Sequence, residues 1–532
     1  MRVNKLMLFS IILFLLAAVY GQEPAYLLLL TVAQVVYIPI VLYSIIKEEK
    51  RWAAVFPLFS LIASVSVIVL HFTPETGWDY LWGTFYLLYT FMVALYGVSR
   101  FFRRGFVHLE EFAIDVALIY LSIGGMWFFA HITEIDTGFS PIITWLTAIH
   151  FHYSAFLLPV FVGFLGRLYK PRGYSMAAWM ILLLPLILAV GITYSVWIEL
   201  FSVLLYIAAI YMLIIFSSRA HLPSTLQKWL IVISFSSLGV TILFSLVYAY
   251  GNFINSMLVS IDTMLRFHGV LNSLIFALLG VAGWMISVPP YRIIKRTFPV
   301  SNIRGKRIIG EKLLSEITED GLQKGLVDNM SIFTPDINVN SIAQSILDFY
   351  ENTLNYRLFA EIKWRPWFKP FAAVYRIFSR RFQQINLPLS EKQIEMTGDI
   401  VTVKAEMDGR KSPRAWVRKA NGEVIFAAIY SWHENNQQTY MNIALPLPWS
   451  SMIGVLELTQ VEKGLQLTSK KRSAASDSGI YLAVGEFLLA LPIEETFHIR
   501  EEDDGSLIAR HRMWFFSVPF LNIHYRILRK EQ

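Results

Sequence analysis

Along the first 290 residues two kinds of loop alternate between apolar runs, and this alternation limits the fold more tightly than any motif does. The runs fall at 25–46, 52–72, 80–99, 112–130, 140–166, 176–195, 198–217, 226–250 and 263–288. Each is close to the roughly 20 residues that a helix needs to cross the hydrocarbon core of a bilayer. One set of connections is basic: Lys47-Glu48-Glu49-Lys50-Arg51, then Arg100 with Arg103 and Arg104, then Arg167, Lys170 and Arg172, then Arg219 and Lys228. The other set, at 22–24, 73–79, 131–138, the turn before Glu199, and 251–262, contains no lysine or arginine. Cationic loops stay on the cytoplasmic side of multi-pass proteins, so the pattern predicts a polytopic helical domain with both termini cytoplasmic.

A basic start (Arg2, Lys5) followed by the apolar run 6–20 reads as a secretory signal peptide or as a first membrane helix. No small-x-small cleavage site follows, which favours the helix and an expected total of about ten. Composition agrees, because only 16% of residues are charged, where a soluble globule has about a quarter. The absence of cysteine excludes disulfides, thiolate metal sites, iron–sulfur clusters and a cysteine nucleophile. The formal net charge of +7 is concentrated in the basic loops, so it signals topology, and no nucleic-acid partner is expected.

Polar groups inside such runs are costly and tend to face a bundle interior or a cavity. The stretch Thr147-Ala148-Ile149-His150-Phe151-His152-Tyr153-Ser154 places two imidazoles and a phenol there. At 1.5 Å per residue His150 lies ~15 Å from the helix start, near the midplane. His268 and Asn272, one turn apart in the last run, share a face, while Arg266 is spaced for an i,i+4 ion pair with Asp262. The expected site is an outward-facing ligand pocket of His150, His152, Tyr153, Arg266, His268 and Asn272. Asp115, Glu199 and Asp262 sit at helix ends, and a midplane without carboxylates weighs against ion-coupled transport through a buried acid. No cofactor is expected. The alternative is haem or a metal at His150, His152 and His268, with His131 next in line. Residues i and i+2 of a helix are about 200° apart, so one regular helix cannot offer both His150 and His152 to one ion.

After Pro289-Pro290 the character changes. Arg292, Lys295, Arg296, Arg304, Lys306 and Arg307 form a basic juxtamembrane run, a topology anchor and a contact for anionic lipid. The expected division is a membrane domain at 1–290, a basic linker at 291–330 and a cytoplasmic α+β domain at 331–532, β-rich from about 398. Within it, 340–352 is predicted helical, with Ile342, Ile346, Leu347 and Tyr350 on one face. The aromatic and basic stretch 364–382 has the composition of a helix lying in a membrane interface, or of an amphipathic helix packed on its own domain. From Ile400 the period becomes two, with strands expected at 400–407, 416–420, 423–432, 438–445, 464–469, 494–501, 507–516 and 521–528. Asn421-Gly422 is a hairpin signal, and Pro446-Leu447-Pro448 reads as an interruption. The predicted architecture is an antiparallel sheet or partly closed barrel around an apolar interior.

No catalytic residue stands out. Glu501-Glu502-Asp503-Asp504 reads as a solvated turn, and His498, His511 and His524 lie on separate strands, His511 within imaginable reach of Tyr525 or Glu457.

Three resemblances add to this reading. The tetrad His150-Phe151-His152-Tyr153 resembles the haem-copper oxidase helix in which two histidines serve different haems, over these four residues only. The succession from Gly138-Phe139 through that tetrad and Pro159 to Arg266-Phe267-His268-Gly269-Val270-Leu271-Asn272 resembles the YndJ-like family of bacterial integral membrane proteins across most of residues 1–290. That resemblance implies a multi-pass fold in a bacterial cell membrane and carries no activity. Tyr440-Met441-Asn442-Ile443-Ala444-Leu445-Pro446-Leu447-Pro448, Gly464-Leu465 and His511 through Pro519 are similar to a family of unknown function found behind saccharopine-dehydrogenase-like domains. No Gly-x-Gly-x-x-Gly follows a strand here, so the dinucleotide-binding partner domain is absent. The expected function is transport, sensing or envelope-lipid handling, with an apolar or lipid-like ligand for the cytoplasmic domain. The rival is a haem- or metal-dependent membrane enzyme.

Overall fold

The computed structural model describes residues 3–21, 24–47, 49–73, 76–106, 108–291, 298–305, 309, 316–473 and 476–530. Most of the juxtamembrane basic run (Arg292, Lys295, Arg296, Lys306, Arg307) lies outside these residues. The chain forms two compact units that divide near residue 293.

The first unit is helical: α1 (Val3–Tyr20), α2 (Ala25–Ile46), α3 (Lys50–Phe72), α4 (Asp79–Arg104), α5 (Leu109–Ile132), α6 (Pro141–Leu168), α7 (Tyr174–Tyr194), α8 (Val196–Arg219), α9 (Thr225–Phe253) and α10 (Ile261–Ile286). Among the described residues nine of these are long and apolar enough to span a bilayer, and α1 adds a shorter apolar stretch, Leu8–Tyr20. Local chemistry sets the helix starts. Pro141 opens α6 at a position whose N–H needs no partner. The Ser224 and Ser260 hydroxyls accept from Gln227 N and Thr263 N to cap α9 and α10. The largest boundary difference from expectation is at the end of α4, which runs on through Arg104; α5 starts at Leu109, and Arg100 of α4 is buried against Glu111 and Asp115 near that start.

α6 is the centre of the unit, with 89% of its apolar window buried, against 33–56% for α3–α5 and α7–α10. It contains a π turn at Tyr153–Leu157, and α2 and α10 contain others at Ala33–Tyr37, Leu265–Gly269 and Asn272–Ala277. Three of these meet at Ser273. Tyr37 OH donates to the Ser273 carbonyl at 3.0 Å. Tyr153 OH donates to Leu29 O at 2.6 Å and lies 3.0 Å from Ser273 Oγ. The Tyr37 and Tyr153 rings meet edge to face. Such turns recur at functional sites because they re-aim side chains within a continuous helix.

The second unit is built on one antiparallel sheet: β1 (Thr318–Leu322), β2 (Tyr356–Trp364), β3 (Ile394–Met396), β4 (Ile400–Val403), β5 (Lys411–Ala420), β6 (Glu423–Asn435), β7 (Gln438–Leu447), β8 (Ser450–Val461), β9 (Gly464–Thr468), β10 (Gly479–Val484), β11 (Phe487–Ala490), β12 (Ile493–Glu501), β13 (Leu507–Phe515) and β14 (Val518–Arg529). The order is β1-β4-β5-β6-β7-β8-β9-β12-β13-β14-β2-β3, with β10 on β8 and β11 on β10. The sheet curls without closing into a continuous barrel. Thr397 exchanges two backbone hydrogen bonds with Lys419, so 394–403 pairs with β2 by its start and with β5 by its end. Gly398 sits at this junction, where a Cβ would lie 1.6 Å from Val417 O.

Alternation puts a separate core on each face of the central strands. On β6, Ala428 and Tyr430 face a core with α11 (Gln344–Glu351), while Ala427 and Ile429 face one with Phe298, Ile303 and Tyr481. The Asn421-Gly422 turn has φ +50° and +77°, as a tight hairpin requires. Two expectations are corrected. The strand from Ile400 stops at Val403, and Ala405–Asp408 is a helical turn ended by Gly409 at φ +80°. Pro446 and Leu447 complete β7 rather than interrupt the sheet, and β8 pairs with them directly.

α12 (Lys369–Phe382) rests on the second unit by its small residues, burying Ala372 and Ser379. Phe371, Val374, Tyr375, Ile377 and Phe378 point outward, and Phe382 packs half-buried against the sheet core.

Candidate functional site

The six residues singled out from the sequence fall into five surroundings. His152 is fully buried and turned toward α4 and α5. Its Nδ1–H donates to Ala148 O at 2.7 Å, so Nε2 accepts from Tyr86 OH at 2.7 Å, and the two rings stack. Gly124 makes room for this imidazole, because a Cβ there would lie 2.8 Å from His152 Nδ1. Tyr153 belongs to the Ser273 junction. His268 and Asn272 bond each other at 3.1 Å and tie α10 to α9, Asn272 Oδ1 accepting from Thr241 Oγ1 at 2.7 Å and His268 Nδ1 donating to Thr241 O at 3.0 Å. Arg266 is exposed and paired with Asp262 at 2.9 Å.

His150 lines a cavity of about 120 Å3 between α5, α6, α7 and α8. Trp127, Phe139, Ile143, Pro185 and Ile192 supply its apolar wall, and Thr147, His150, Ser154 and Tyr206 its polar edge. Their hydrogen bonds define what the edge offers. His150 Nδ1 donates to Leu146 O at 2.5 Å, Thr147 Oγ1 to Ile143 O at 2.9 Å and Ser154 Oγ to His150 O at 2.7 Å. These protons are spent on backbone, so the imidazole Nε2 and two hydroxyl oxygens present lone pairs. Tyr206 OH is buried without a hydrogen-bond partner among the described residues. The edge therefore offers mainly acceptors, which suit hydroxyl or ammonium groups, with the Tyr206 hydroxyl able to donate, and among the described residues that line it there is no cation for a phosphate.

His150 and His152 diverge as their 200° spacing requires. Among the described residues, no three His, Asp or Glu side chains gather as a metal-binding group.

Two buried polar clusters escaped the sequence reading. In the first, Thr31 Oγ1 bonds His71 Nε2 at 2.6 Å. Nearby in chain order, Gln34 turns its amide toward Tyr86 OH without full hydrogen-bond geometry. Tyr89 OH and Ser60 Oγ border a cavity of about 10 Å3, room for one water. The second is ionic and lies on the side of the basic loops. Arg100 binds Asp115 at 2.7 Å and Glu111 at 2.9 Å, Arg167 binds Glu111 at 2.7 Å, and Lys170 binds Glu110 at 2.5 Å. Three acids on the first two turns of α5, where the loop rule favours cations, were the available signal.

In the second unit the strand histidines do not converge. His511 pairs with Glu495 at 2.7 Å rather than with Glu457 or Tyr525. His498 stands opposite Arg510, and Arg510 opposite His524, so two imidazoles flank one guanidinium. Burial, then Arg500 and Arg510 for His498, and Lys363 and Arg510 for His524, hold both imidazoles below their ordinary range. Asp504 accepts from Ser506 and Arg526 in an exposed turn. Glu457 is buried under the Ser476 and Ser478 hydroxyls, and His433 stacks between Phe298 and Tyr440 while pairing with Asp477 at 3.3 Å. Arg410 and Asp408, both wholly buried, bond Asn442 and Ser301 and fasten 298–305 to the sheet.

These features define a multi-pass α-helical membrane protein with an antiparallel β-sheet unit at its C-terminal end. The chain is 38% identical over 487 residues to a protein of Bacillus subtilis (strain 168) named "Uncharacterized membrane protein YndJ", a match covering 90% of this chain and 87% of the relative. The YndJ-like protein family matches residues 28–276. The chain belongs to the YndJ-like family. No solved structure matches it.

Proposed function

We propose that the protein handles an amphipathic envelope lipid, binding its headgroup in the cavity at His150. The observation that carries this is the division of the cavity into an apolar wall and an edge of lone pairs around an exposed imidazole. A volume near 120 Å3 suits part of a headgroup, at ~30 Å3 per water-sized group, with the acyl chains left in the bilayer. The basic loops favour an orientation with both termini in the cytoplasm, which would put the cavity in the outer half of the membrane. The ligand class is a lipid whose headgroup bears hydroxyls or a protonated amine.

Native purification followed by mass spectrometry of bound lipid tests this. The expected result is a retained lipid of that class, depleted at least tenfold in His150→Leu and in Thr147→Val, with thermal melting unchanged. Equal lipid retention in both variants would overturn the proposal.

A further inference from the structure

α12 is an amphipathic helix whose apolar face is largely uncovered by the described residues, with Phe382 at its end half-buried against the sheet. The side chains it buries are small, Ala372 and Ser379. Phe371, Val374, Ile377 and Phe378 are exposed to 64, 59, 71 and 53%. Tyr375, and Trp367 just before the helix, are exposed as well. At about 100° per residue these helical side chains fill one arc of roughly 160°. Lys369, Arg376 and Arg380 lie on the remaining surface, and Arg381 stands at the C-terminal end of the apolar arc. The helix contains no aspartate or glutamate, and Glu423 offsets one of its four cations by pairing with Arg380 at 2.7 Å.

Contiguous apolar exposure on this scale marks a binding surface. A wide apolar face on a cationic helix of low overall hydrophobicity fits the plane between lipid headgroups and acyl chains. The occupant is argued from the chain itself. Among the described residues nine helices long and apolar enough to span a bilayer precede α12, so the chain brings its own bilayer with it, and an acid-free cationic helix complements anionic lipid.

We propose that α12 docks on the anionic surface of the bilayer that holds the chain's own spans. Phe371, Val374, Ile377 and Phe378 enter the acyl boundary, and Lys369, Arg376 and Arg381 reach lipid phosphates through their flexible stems.

The chain has no cysteine, so one introduced thiol reports a single position. Full-length Ile377→Cys carrying an environment-sensitive nitrobenzoxadiazole label is placed in nanodiscs of phosphatidylethanolamine and phosphatidylglycerol, and in nanodiscs of phosphatidylcholine alone. Val374→Cys serves as an independent second position. In the anionic discs the emission is expected to shift to the blue, with at least half of it quenched by doxyl-labelled lipid, and with less quenching in phosphatidylcholine. Adding Phe371→Glu and Phe378→Glu is expected to restore access to aqueous iodide. A label that stays iodide-accessible in the anionic discs would overturn the proposal. So would equal lipid quenching in both compositions, or shielding that persists in detergent without lipid quenching, the signature of a second copy of the chain.

Discussion

Replacing Glu111 with glutamine removes one charge from the buried ionic cluster while keeping its shape. Glu111 accepts from Arg100 at 2.9 Å and from Arg167 at 2.7 and 2.8 Å, and all three side chains are at most 4% exposed. After the change Arg100 still has the Asp115 carboxylate at 2.7 Å, but Arg167 loses its anionic partner and keeps only neutral acceptors, the substituted amide oxygen and the Pro289 carbonyl at 3.0 Å. Breaking a buried pair from one side costs about 3–5 kcal/mol, because the abandoned charge remains desolvated. Exchange of partners within a membrane lowers such costs, so the lower end, about 3 kcal/mol, is expected. That is roughly a hundredfold change in the folding equilibrium. Titration of the purified protein with sodium dodecyl sulfate in mixed micelles, followed by near-ultraviolet circular dichroism, measures it. The double variant Glu111→Gln, Arg167→Gln removes the stranded cation as well, and at least half of the loss should return. A single-variant loss under about 1 kcal/mol, or a double variant no better than the sum of the two singles, would refute the reasoning.

Two further outcomes follow from the hydrogen bonds. Tyr86→Phe leaves His152 Nε2 buried without a donor, and the same titration should show a loss of about 1–3 kcal/mol, largely absent when His152→Phe is the background. In the second unit, burial pushes the Asp477 carboxyl up, but hydrogen bonds from His433 and Asn435 outweigh it and hold the group below its ordinary 3.8. A depressed folded value gives stability that is complete above the unfolded value and lost as pH falls through the folded one. Hydrogen exchange of β6 and β10 should therefore accelerate below about pH 4, and Asp477→Asn should flatten that dependence.

The spans were readable because a bilayer imposes length and hydropathy on every helix that crosses it. The opposed aims of His150 and His152 were readable from helix periodicity, and the Asn421-Gly422 hairpin from the left-handed backbone its residues tolerate. The acids of α5 were not. Glu110 and Glu111 look like loop residues until Lys170, Arg100 and Arg167, far along the chain or on another helix, are brought to them. The Ser273 junction was invisible for a similar reason, since Tyr37 and Ser273 are 236 residues apart and π turns have no composition of their own. β8 was hidden by the prolines before it, which a strand end tolerates. The imidazoles drew attention as titratable groups, yet most of them are held by hydroxyls and carbonyls, and only the placement of neighbouring helices shows which one stays available.

The wide turn at Tyr153–Leu157 divides α6 between His150 and Arg167. Such a turn absorbs one extra residue, and each residue of an ordinary helix advances the rotation by about 100°. Tightening it to regular α geometry would rotate the downstream half against the upstream half by roughly that angle. His150 could then keep its orientation only if Arg167 swung away from Glu111. The rotational phase of α6 thus links the orientation of His150 at the cavity to that of Arg167 in the ionic cluster, about seventeen residues further along the same rod.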